Sequence, residues 1–279
     1  MNNMLDQQLQ FDTMESDAGL KTCCAALYES DWARLLLGDS FHPGGLALTQ
    51  QLGALIDLQP GQKVLDVASG TGASAIFLAE QFGSEVVGID YGRASVAAAN
   101  AAALEAGLAR QVRFEPGDAE QLPFAANSFD AIICECAFCT FPHKPAAAAE
   151  FLRVLKPGGR LGLSDLTRRG SLPPELDSLL AWIACIADAQ PLENYVHFLE
   201  SAGLLVDQIE NHDDALSQTV AGIRGKLLGA ELMVKLKKID LPGADFQQAR
   251  SFTRSASAAV RDGKLGYTLI AASSPKSAS

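Results

Sequence analysis

Cysteine thiols are the side chains with the most distinctive chemistry in this chain of 279 residues. The cysteines form one close group and three outliers: Cys134, Cys136 and Cys139, then Cys23, Cys24 and Cys185. Thiolates select soft metal ions or metalloids over Mg²⁺ and Ca²⁺, whereas an isolated cysteine can simply be a small buried core residue. Residues 1–17 lack the basic and apolar regions of a secretory signal, so we expect reduced thiols rather than disulfides.

A turn that contains glycine provides a second candidate site. Residues 64–67 read as a strand, and residues 68–72 read as a tight turn before a helix. Asp66 lies inside this motif, and Asp90 ends the next predicted strand, about 20 residues beyond the loop. The two oxygens of Asp90 could accept hydrogen bonds from both hydroxyls of a ribose. Because the third glycine of the dinucleotide fingerprint is missing, we expect a nucleoside site with no requirement for phosphate.

These residues need a sheet that brings strand ends together. Between residues 63 and 165, short apolar runs alternate with helical patterns, which predicts parallel strands joined by right-handed crossovers. The predicted strands are residues 64–67, 85–89, 112–114, 131–134 and 160–164. Helices are predicted over residues 73–81, 94–106 and 145–155, the last closed by a turn at 156–159. The fold expected is α/β, with a doubly wound, mostly parallel sheet.

Further helices flank this core in the sequence. They are predicted at residues 22–37, 44–56, 174–187 and 192–201, with a strand at 204–210. Residues 213–261 read as mostly helical with a break at 241–243, and a late strand follows at 266–272. We therefore expect an N-terminal helical cap (1–55), an α/β core with substrate helices (56–212), and a helical insertion with the final strand and tail (213–279).

Charge and hydropathy narrow the range of partners. The chain has 22 Lys and Arg against 33 Asp and Glu, a net charge of −11, which disfavours nucleic acid as a ligand. The longest apolar stretch, residues 179–187, is far shorter than the roughly 20 residues of a membrane span. We expect a cytoplasmic protein with no membrane partner and a small-molecule or metalloid substrate; the sequence does not set the oligomeric state.

Several motifs in order resemble the class I S-adenosylmethionine-dependent methyltransferases. They are residues 64–72, Asp90, 117–120 with 122–124, 129–131, and 155–159. The resemblance implies S-adenosylmethionine as cofactor, with Asp66 and the glycine loop beside its methionine part, Asp90 at the ribose, and Asp118 with Ala119 at the adenine. Many members have glycine where this chain has Ala68. The implied cofactor-binding residues are Asp66, Ala68, Gly70, Thr71, Gly72, Asp90, Tyr91, Asp118, Ala119 and Glu135.

The thiols resemble those of the arsenite methyltransferase branch of this family. Cys136 lies six residues before Pro142, as in that branch, and Cys185 follows a stretch at residues 172–176 like the one that precedes the branch's second cysteine. The resemblance implies that Cys136 and Cys185 are the catalytic thiolates that bind As(III), with Cys23 and Cys24 as further candidate ligands. Thiolate-bound As(III) keeps a lone pair, so it could attack the sulfonium methyl without a general base.

Two alternatives stay open. In the first, a methyltransferase of the same kind acts on the oxygen, nitrogen or carbon of a small organic molecule, with Glu135 or His143 as a possible base; His143 could equally be a helix-start residue. In the second, the chain is a non-catalytic protein in which Cys134, Cys136 and Cys139, together with Cys23 and Cys24, hold structural zinc.

Overall fold

A computed structural model describes residues 17–28, 42–173, 176, 186, 188–238 and 245–276, apart from the side chains of residues 23, 24, 27 and 28. Its centre is a seven-stranded sheet in the order β3-β2-β1-β4-β5-β7-β6. The strands are β1 (Lys63–Val67), β2 (Glu85–Asp90), β3 (Val112–Pro116), β4 (Phe129–Glu135), β5 (Leu155–Arg168), β6 (Leu205–Asn211) and β7 (Leu265–Ser273). Only β7 runs antiparallel to its neighbours in this sheet, pairing with β5 on one side and β6 on the other.

Helices connect most of the strands. They are α1 (Asp17–Tyr28), α2 (Gly45–Leu55), α3 (Ala73–Phe82), α4 (Arg93–Glu105), α5 (Lys144–Val154), α6 (Leu192–Ser201), α7 (Asp213–Lys235) and α8 (Phe246–Arg261). Within the described residues, no helix combines the length and the apolar content needed to cross a bilayer. The predicted doubly wound, mostly parallel sheet with helices before it and between its last two strands is confirmed.

The order of the strands creates a crevice at one edge of the sheet. The chain builds outward from β1 through β2 to β3, and then returns to the other side of β1 to add β4 and β5. Open α/β sheets bind ligands at such a switch point, beyond the carboxyl ends of the strands. Here Asp66 of β1 pairs with Ile133 of β4, so Asp66 and Glu135 approach the same edge from adjacent strands.

The core explains why the strands read as unbroken apolar runs. Val64, Leu65 and Val67 of β1 are all fully buried, because helices cover both faces of the sheet. Beyond β4, the ring of Phe138 lies 5.9 Å from that of Phe151 and 6.1 Å from that of Tyr195, measured between ring centres. These contacts fix the segment after β4, which carries Cys136.

Some boundaries differ from those predicted. Helix α1 begins at Asp17, five residues before the predicted start, and residues 29–41 lie outside the described part. The turn predicted at residues 156–159 is an irregularity within β5, where the pairing moves from Leu155 opposite Phe129 to Arg160 opposite Ala131. A positive φ of 76° at Gly158 allows this displacement. Most of the predicted helix at 174–187 and the break at 241–243 lie outside the described residues.

We predict that Gly88→Ala destabilises the protein by about 1–3 kcal/mol, because an added methyl group would overpack the core. A Cβ on Gly88, in the middle of β2, would lie 2.3 Å from the Phe114 ring and 2.8 Å from Ser69 Oγ. Unfolding in urea measures the change.

Gly222→Ala is the matched control, because a Cβ at this position in α7 would meet no atom within 4 Å. Replacing Gly222 with alanine should stabilise α7 by up to about 1 kcal/mol, because alanine has the higher helix propensity. A Gly88→Ala protein as stable as the wild type would contradict the close packing of β2 against Phe114.

Candidate active site

A cavity lies at the switch point between β1 and β4. The predicted site residues on its wall are Asp66, Ala68, Gly70, Thr71, Asp90, Tyr91, Asp118, Ala119, Glu135 and Cys136. Gly72 lies behind the wall as the N-cap of α3, where a Cβ would approach the Phe114 ring to 2.5 Å. The fold therefore brings together residues that are widely separated in sequence.

Backbone geometry shapes the loop between β1 and α3. Ala68 has φ 58° and Gly70 has φ 52°, so both residues adopt the left-handed conformation. The carboxylate of Asp90 accepts hydrogen bonds from the backbone N–H of Gly70 and of Gly92, both at 2.8 Å. Asp90 thus fixes the loop and lies on the cavity wall at the same time. The left-handed backbone explains why glycine suits the position of Ala68, where a methyl group adds strain.

Asp66 is a buried carboxyl group that lacks a full set of partners. Its exposed fraction is 3%, and Oδ2 makes no hydrogen bond within the described part of the chain. Burial raises the pKa of Asp66 well above its usual value, and the charges of Glu135 and Asp90 raise it further, although a hydrogen bond from the Ala75 backbone opposes them. These effects favour the protonated carboxyl group while no cation is near.

Glu135 lies beside Asp66 but is much better bonded. Thr49 Oγ1 donates to both carboxylate oxygens at 3.1 Å, and Ser74 Oγ donates to Oε2 at 2.6 Å. His42 Nε2 lies 3.6 Å from the same Oε2. The sequence analysis missed His42, Thr49 and Ser74 as site residues. Thr49 and Ser74 come from α2 and α3, and no local pattern marks a helical hydroxyl as the partner of a distant carboxylate.

Lys21 is a further residue that the sequence analysis missed. Its Nζ donates to the two oxygens of Asp118 at 3.0 and 2.8 Å and also pairs with Glu120. Burial alone would lower the pKa of Lys21, but the hydrogen bonds and charges of Asp118 and Glu120 raise it above its usual value. This ion pair anchors α1 at the part of the cavity wall that contains Asp118.

The three thiols near β4 differ in accessibility. Cys136 lies on the cavity wall with φ 53°, and its backbone N–H donates to the Ser164 carbonyl oxygen at 2.7 Å. Cys134 and Cys139 are fully buried, and burial raises the pKa of the Cys134 thiol well above its usual value. The fold therefore exposes one thiol of the close group to the cavity.

The remaining thiols belong to Cys23, Cys24 and Cys185. Cys185 and the side chains of Cys23 and Cys24 lie outside the described residues. Among the residues that are described, no group of three or more His, Cys, Asp or Glu side chains is arranged to hold a metal ion. The described part of the proposed zinc set, Cys134 with Cys136 and Cys139, therefore does not form a zinc site by itself.

His143 does not reach the cavity. Its side chain is 63% exposed, and Nε2 lies 2.7 Å from Asp17 Oδ2. The residue is the N-cap of α5, which agrees with its alternative interpretation as a helix-start residue. The histidine on the cavity wall is instead His42.

Comparisons with known proteins identify the central part of the chain. Residues 64–159 match a family model described as a methyltransferase domain. The chain is 34% identical to Methyltransferase GfsG of Streptomyces halstedii over 60% of this chain and 61% of that protein. It is also 34% identical to a phosphoethanolamine N-methyltransferase of Triticum aestivum, over 74% of this chain and 38% of the relative. The chain thus matches less than two thirds of either relative's length.

Solved structures share the fold over most of the chain. The phosphoethanolamine N-methyltransferase 2 of Haemonchus contortus, in complex with S-adenosylhomocysteine, has a TM-score of 0.74 at 20% identity. The match covers 94% of this chain and 58% of the Haemonchus chain. The geranyl diphosphate C-methyltransferase of Streptomyces coelicolor has a TM-score of 0.66 at 19% identity, and the match covers 82% of this chain and 76% of that protein. The [4+2]-cyclase SpnF has a TM-score of 0.65 at 25% identity, and the match covers 82% of this chain and 81% of SpnF.

The residues matched by the family model include much of the cavity wall. Residues 64–159 include both strands that carry its buried carboxylates and the loop between β1 and α3. Residues 64–159 therefore match a methyltransferase domain, and the seven-stranded sheet around them has the fold of solved class I S-adenosylmethionine-dependent methyltransferases.

Proposed function

We propose that this chain transfers a methyl group from S-adenosylmethionine to a small organic molecule. The observation that carries the proposal is the pair of buried carboxyl groups, Asp66 and Glu135, facing one cavity of a methyltransferase domain. S-adenosylmethionine has a sulfonium and an ammonium group, and buried carboxylates need such cationic partners. Asp66 Oδ2, which has no hydrogen-bond partner among the described residues, fits a ligand that supplies one.

The rest of the wall fits a nucleoside. We assign the ribose hydroxyls to Asp90, which lies on the cavity wall and whose carboxylate oxygens can each accept more than one hydrogen bond. Asp118 and Ala119 are assigned to the adenine, and Tyr91, which is 41% exposed, lies on the same wall. Gly70 and Thr71 would place backbone close to the methionine part of the cofactor.

Bound S-adenosylmethionine supplies an electrophilic methyl group for in-line displacement by a nucleophile. The chain must align the acceptor and keep water away from it. Beyond the end of β4, the wall consists of uncharged side chains, including Cys136, Ala137 and Phe141. This surface can enclose an apolar acceptor beside the methyl donor.

The charge of the wall bears on the class of acceptor. Among the wall residues that are described, Lys21 is the sole lysine or arginine, and Asp118 and Glu120 already neutralise it. A phosphorylated acceptor would find no free cation there. The names of the relatives include N-, O- and C-methyltransferases, such as the nocamycin O-methyltransferase of Saccharothrix syringae. We propose an acceptor without phosphate, methylated at a nitrogen, oxygen or carbon.

A thiolate-bound metalloid is the second candidate acceptor. One observation favours it: the thiol of Cys136 lies on the cavity wall next to Glu135, on the side proposed for the acceptor. A metalloid acceptor also requires the thiol of Cys185 to bind the same metalloid atom as the thiol of Cys136. It shares the cofactor and the fold with the first candidate and differs in the nucleophile.

We predict that Asp66→Asn weakens S-adenosylmethionine binding at least about tenfold, by removing a carboxylate from a site with a cationic ligand. Isothermal titration calorimetry at pH 7.5 measures the effect. Asp207→Asn, an exposed change on β6, is the matched control and should bind like the wild type. Equal affinity of the Asp66→Asn variant and the wild type would contradict the assignment of Asp66.

The same Asp66→Asn change should stabilise the ligand-free protein. Because the raised pKa of Asp66 means that the native state holds this proton more tightly than the unfolded chain, wild-type stability falls as the pH rises through that pKa. Asparagine removes this loss, so the variant's advantage should grow between pH 5 and pH 8, to about 1 kcal/mol or more. Thermal unfolding across this range tests the trend, and a constant difference would refute it.

Product analysis should distinguish the two acceptor classes. With S-adenosylmethionine labelled in its methyl group, we expect radioactivity to be transferred to members of a panel of phenols, quinols and amines. After incubation with arsenite and a thiol reductant, we expect the arsenic to remain unmethylated. Cys136→Ser and Cys185→Ser should both retain methyl transfer to the organic acceptor, because neither thiol is the nucleophile in that reaction. Methylated arsenic that disappears in both variants would establish the metalloid instead. Conversion of an added diene without methyl transfer would favour the kind of reaction named for SpnF.

A further inference from the structure

Four exposed apolar side chains form a ridge along α7: Leu228, Leu232, Met233 and Leu236. The three leucines recur every fourth residue and therefore lie along one face of the helix. Each of them is more than half exposed, and Met233 is 41% exposed. A Cβ on Gly229, on the same face, would meet no atom within 4 Å, so the described chain leaves this face open.

The packing of α7 against α8 does not use the ridge. The opposite face of α7 carries Leu227 and Ala230, which are both buried, and the two helices pack along each other. None of the ridge side chains belongs to the hydrophobic core of the described chain. A contiguous exposed apolar surface of this kind marks a site of interaction with a protein or a membrane.

Cations border the ridge on both sides. At about 100° per residue, Arg224 and Lys235 lie beside Leu228 on one side, and Lys226 lies beside Met233 on the other. All three cationic side chains are exposed. An apolar face with lysine and arginine along its borders is the pattern of a helix that lies in the plane of a membrane surface.

The charge of this segment is opposite to that of the whole chain. Residues 216–238 contain five Lys and Arg and one acidic residue, Glu231, whereas the chain has a net charge of −11. The carboxylate of Glu231 lies 2.8 Å from Lys235 Nζ and 2.7 Å from Arg250 Nη1. The one carboxylate near the ridge is therefore neutralised within the protein.

Helix α8 adds two arginines to the same surface. Arg250 and Arg254 line a groove together with Arg224 and Leu228. Within the described part of the chain, Arg224 and Arg254 form no ion pair, and Arg254 Nε donates only to the Arg250 carbonyl oxygen, at 3.3 Å. Guanidinium groups suit phosphate because they can donate two parallel hydrogen bonds to it.

We propose that the α7 ridge and its bordering cations dock this protein on the surface of an anionic lipid bilayer. The leucines enter the boundary between headgroups and acyl chains, and the cations contact the lipid phosphates. Charge selects this occupant: a second copy of the same face would bring the same cations together, whereas an anionic bilayer complements them. The acidic remainder of the chain is repelled by such a bilayer, so this face is the one that turns towards it.

Interfacial docking differs from the expectation of no membrane partner. That expectation follows from the length of the apolar stretches, which excludes a span and does not address binding at the surface. An interfacial helix needs one apolar face rather than a long apolar stretch. Docking is also independent of the proposed function, because it involves neither the cofactor nor a methyl acceptor.

Flotation of the full chain with lipid vesicles tests the proposal. We expect binding to phosphatidylcholine vesicles that contain about one third phosphatidylglycerol, and binding at least about tenfold weaker to pure phosphatidylcholine. Raising NaCl from about 0.1 M to about 0.5 M should weaken binding to the anionic vesicles. Equal binding to both kinds of vesicle, or no binding to either, would overturn the proposal.

Replacement of the three ridge leucines by glutamine should weaken binding to the anionic vesicles at least about tenfold, because less apolar surface is buried. The variant is Leu228→Gln/Leu232→Gln/Leu236→Gln. Leu104→Gln/Leu205→Gln is the matched control, since these leucines are 71% and 55% exposed elsewhere on the surface, and it should bind like the wild type. Unchanged unfolding in urea would show that each variant is folded.

Removal of two bordering cations provides a second, independent variant. Arg224→Gln/Lys226→Gln should weaken binding to the anionic vesicles about tenfold or more at low salt. Arg110→Gln/Arg113→Gln, which removes two exposed cations elsewhere, should bind like the wild type.

Wild-type affinity of either the leucine variant or the cation variant would contradict the proposed surface. Analytical ultracentrifugation distinguishes the other occupant. A wild-type dimer that the leucine variant abolishes, in a protein that does not float with vesicles, would establish a second copy on the ridge and overturn the proposal. Vesicle binding by a protein that binds no S-adenosylmethionine would refute the proposed function and leave the docking surface intact.

Discussion

The site depends on one electrostatic conflict, the burial of Asp66 and Glu135 next to each other at the ends of adjacent strands. Two carboxylates in a poorly solvated space repel each other, and each has lost the water that would stabilise its charge. Glu135 accepts hydrogen bonds from Thr49 and Ser74, and His42 lies beside it. Asp66 Oδ2 has no hydrogen-bond partner among the described residues. A cationic ligand would reduce the repulsion between the two carboxyl groups.

The fold forces this arrangement through the register of its parallel strands. Because Asp66 of β1 pairs with Ile133 of β4, Glu135 lies two residues further along, at the same edge of the sheet. Helices α2 and α3 then bring hydroxyl groups against that edge. The loop that Asp90 holds completes the other side. A nucleoside with a positively charged substituent is the kind of molecule that this wall complements.

Sequence predicted the parts of the site that local pattern encodes. The strand, turn and helix around Asp66, the carboxylate of Asp90 and the strand end at Glu135 all follow from short-range periodicity and turn chemistry. Local pattern does not mark His42, Lys21, Thr49 or Ser74, because their roles arise from contacts with residues 61 to 99 positions away in the sequence. The thiol pattern predicts Cys136 as a site residue, and Cys136 lies on the cavity wall, but the pattern does not reveal that Cys139 is buried. Of the three thiols in the close group, Cys136 is the one that lies on the cavity wall, so the close spacing of the group does not by itself indicate a metalloid site.

The position of β7 also bears on how the protein is made. Strand β6 pairs with the rest of the sheet through β7, which the ribosome synthesises more than 50 residues later, after α7 and α8. A nascent chain that ends before residue 265 therefore leaves both β5 and β6 with an open hydrogen-bonding edge. Such edges can pair with strands of other chains, so the interval between translation of β6 and insertion of β7 favours aggregation of this polypeptide.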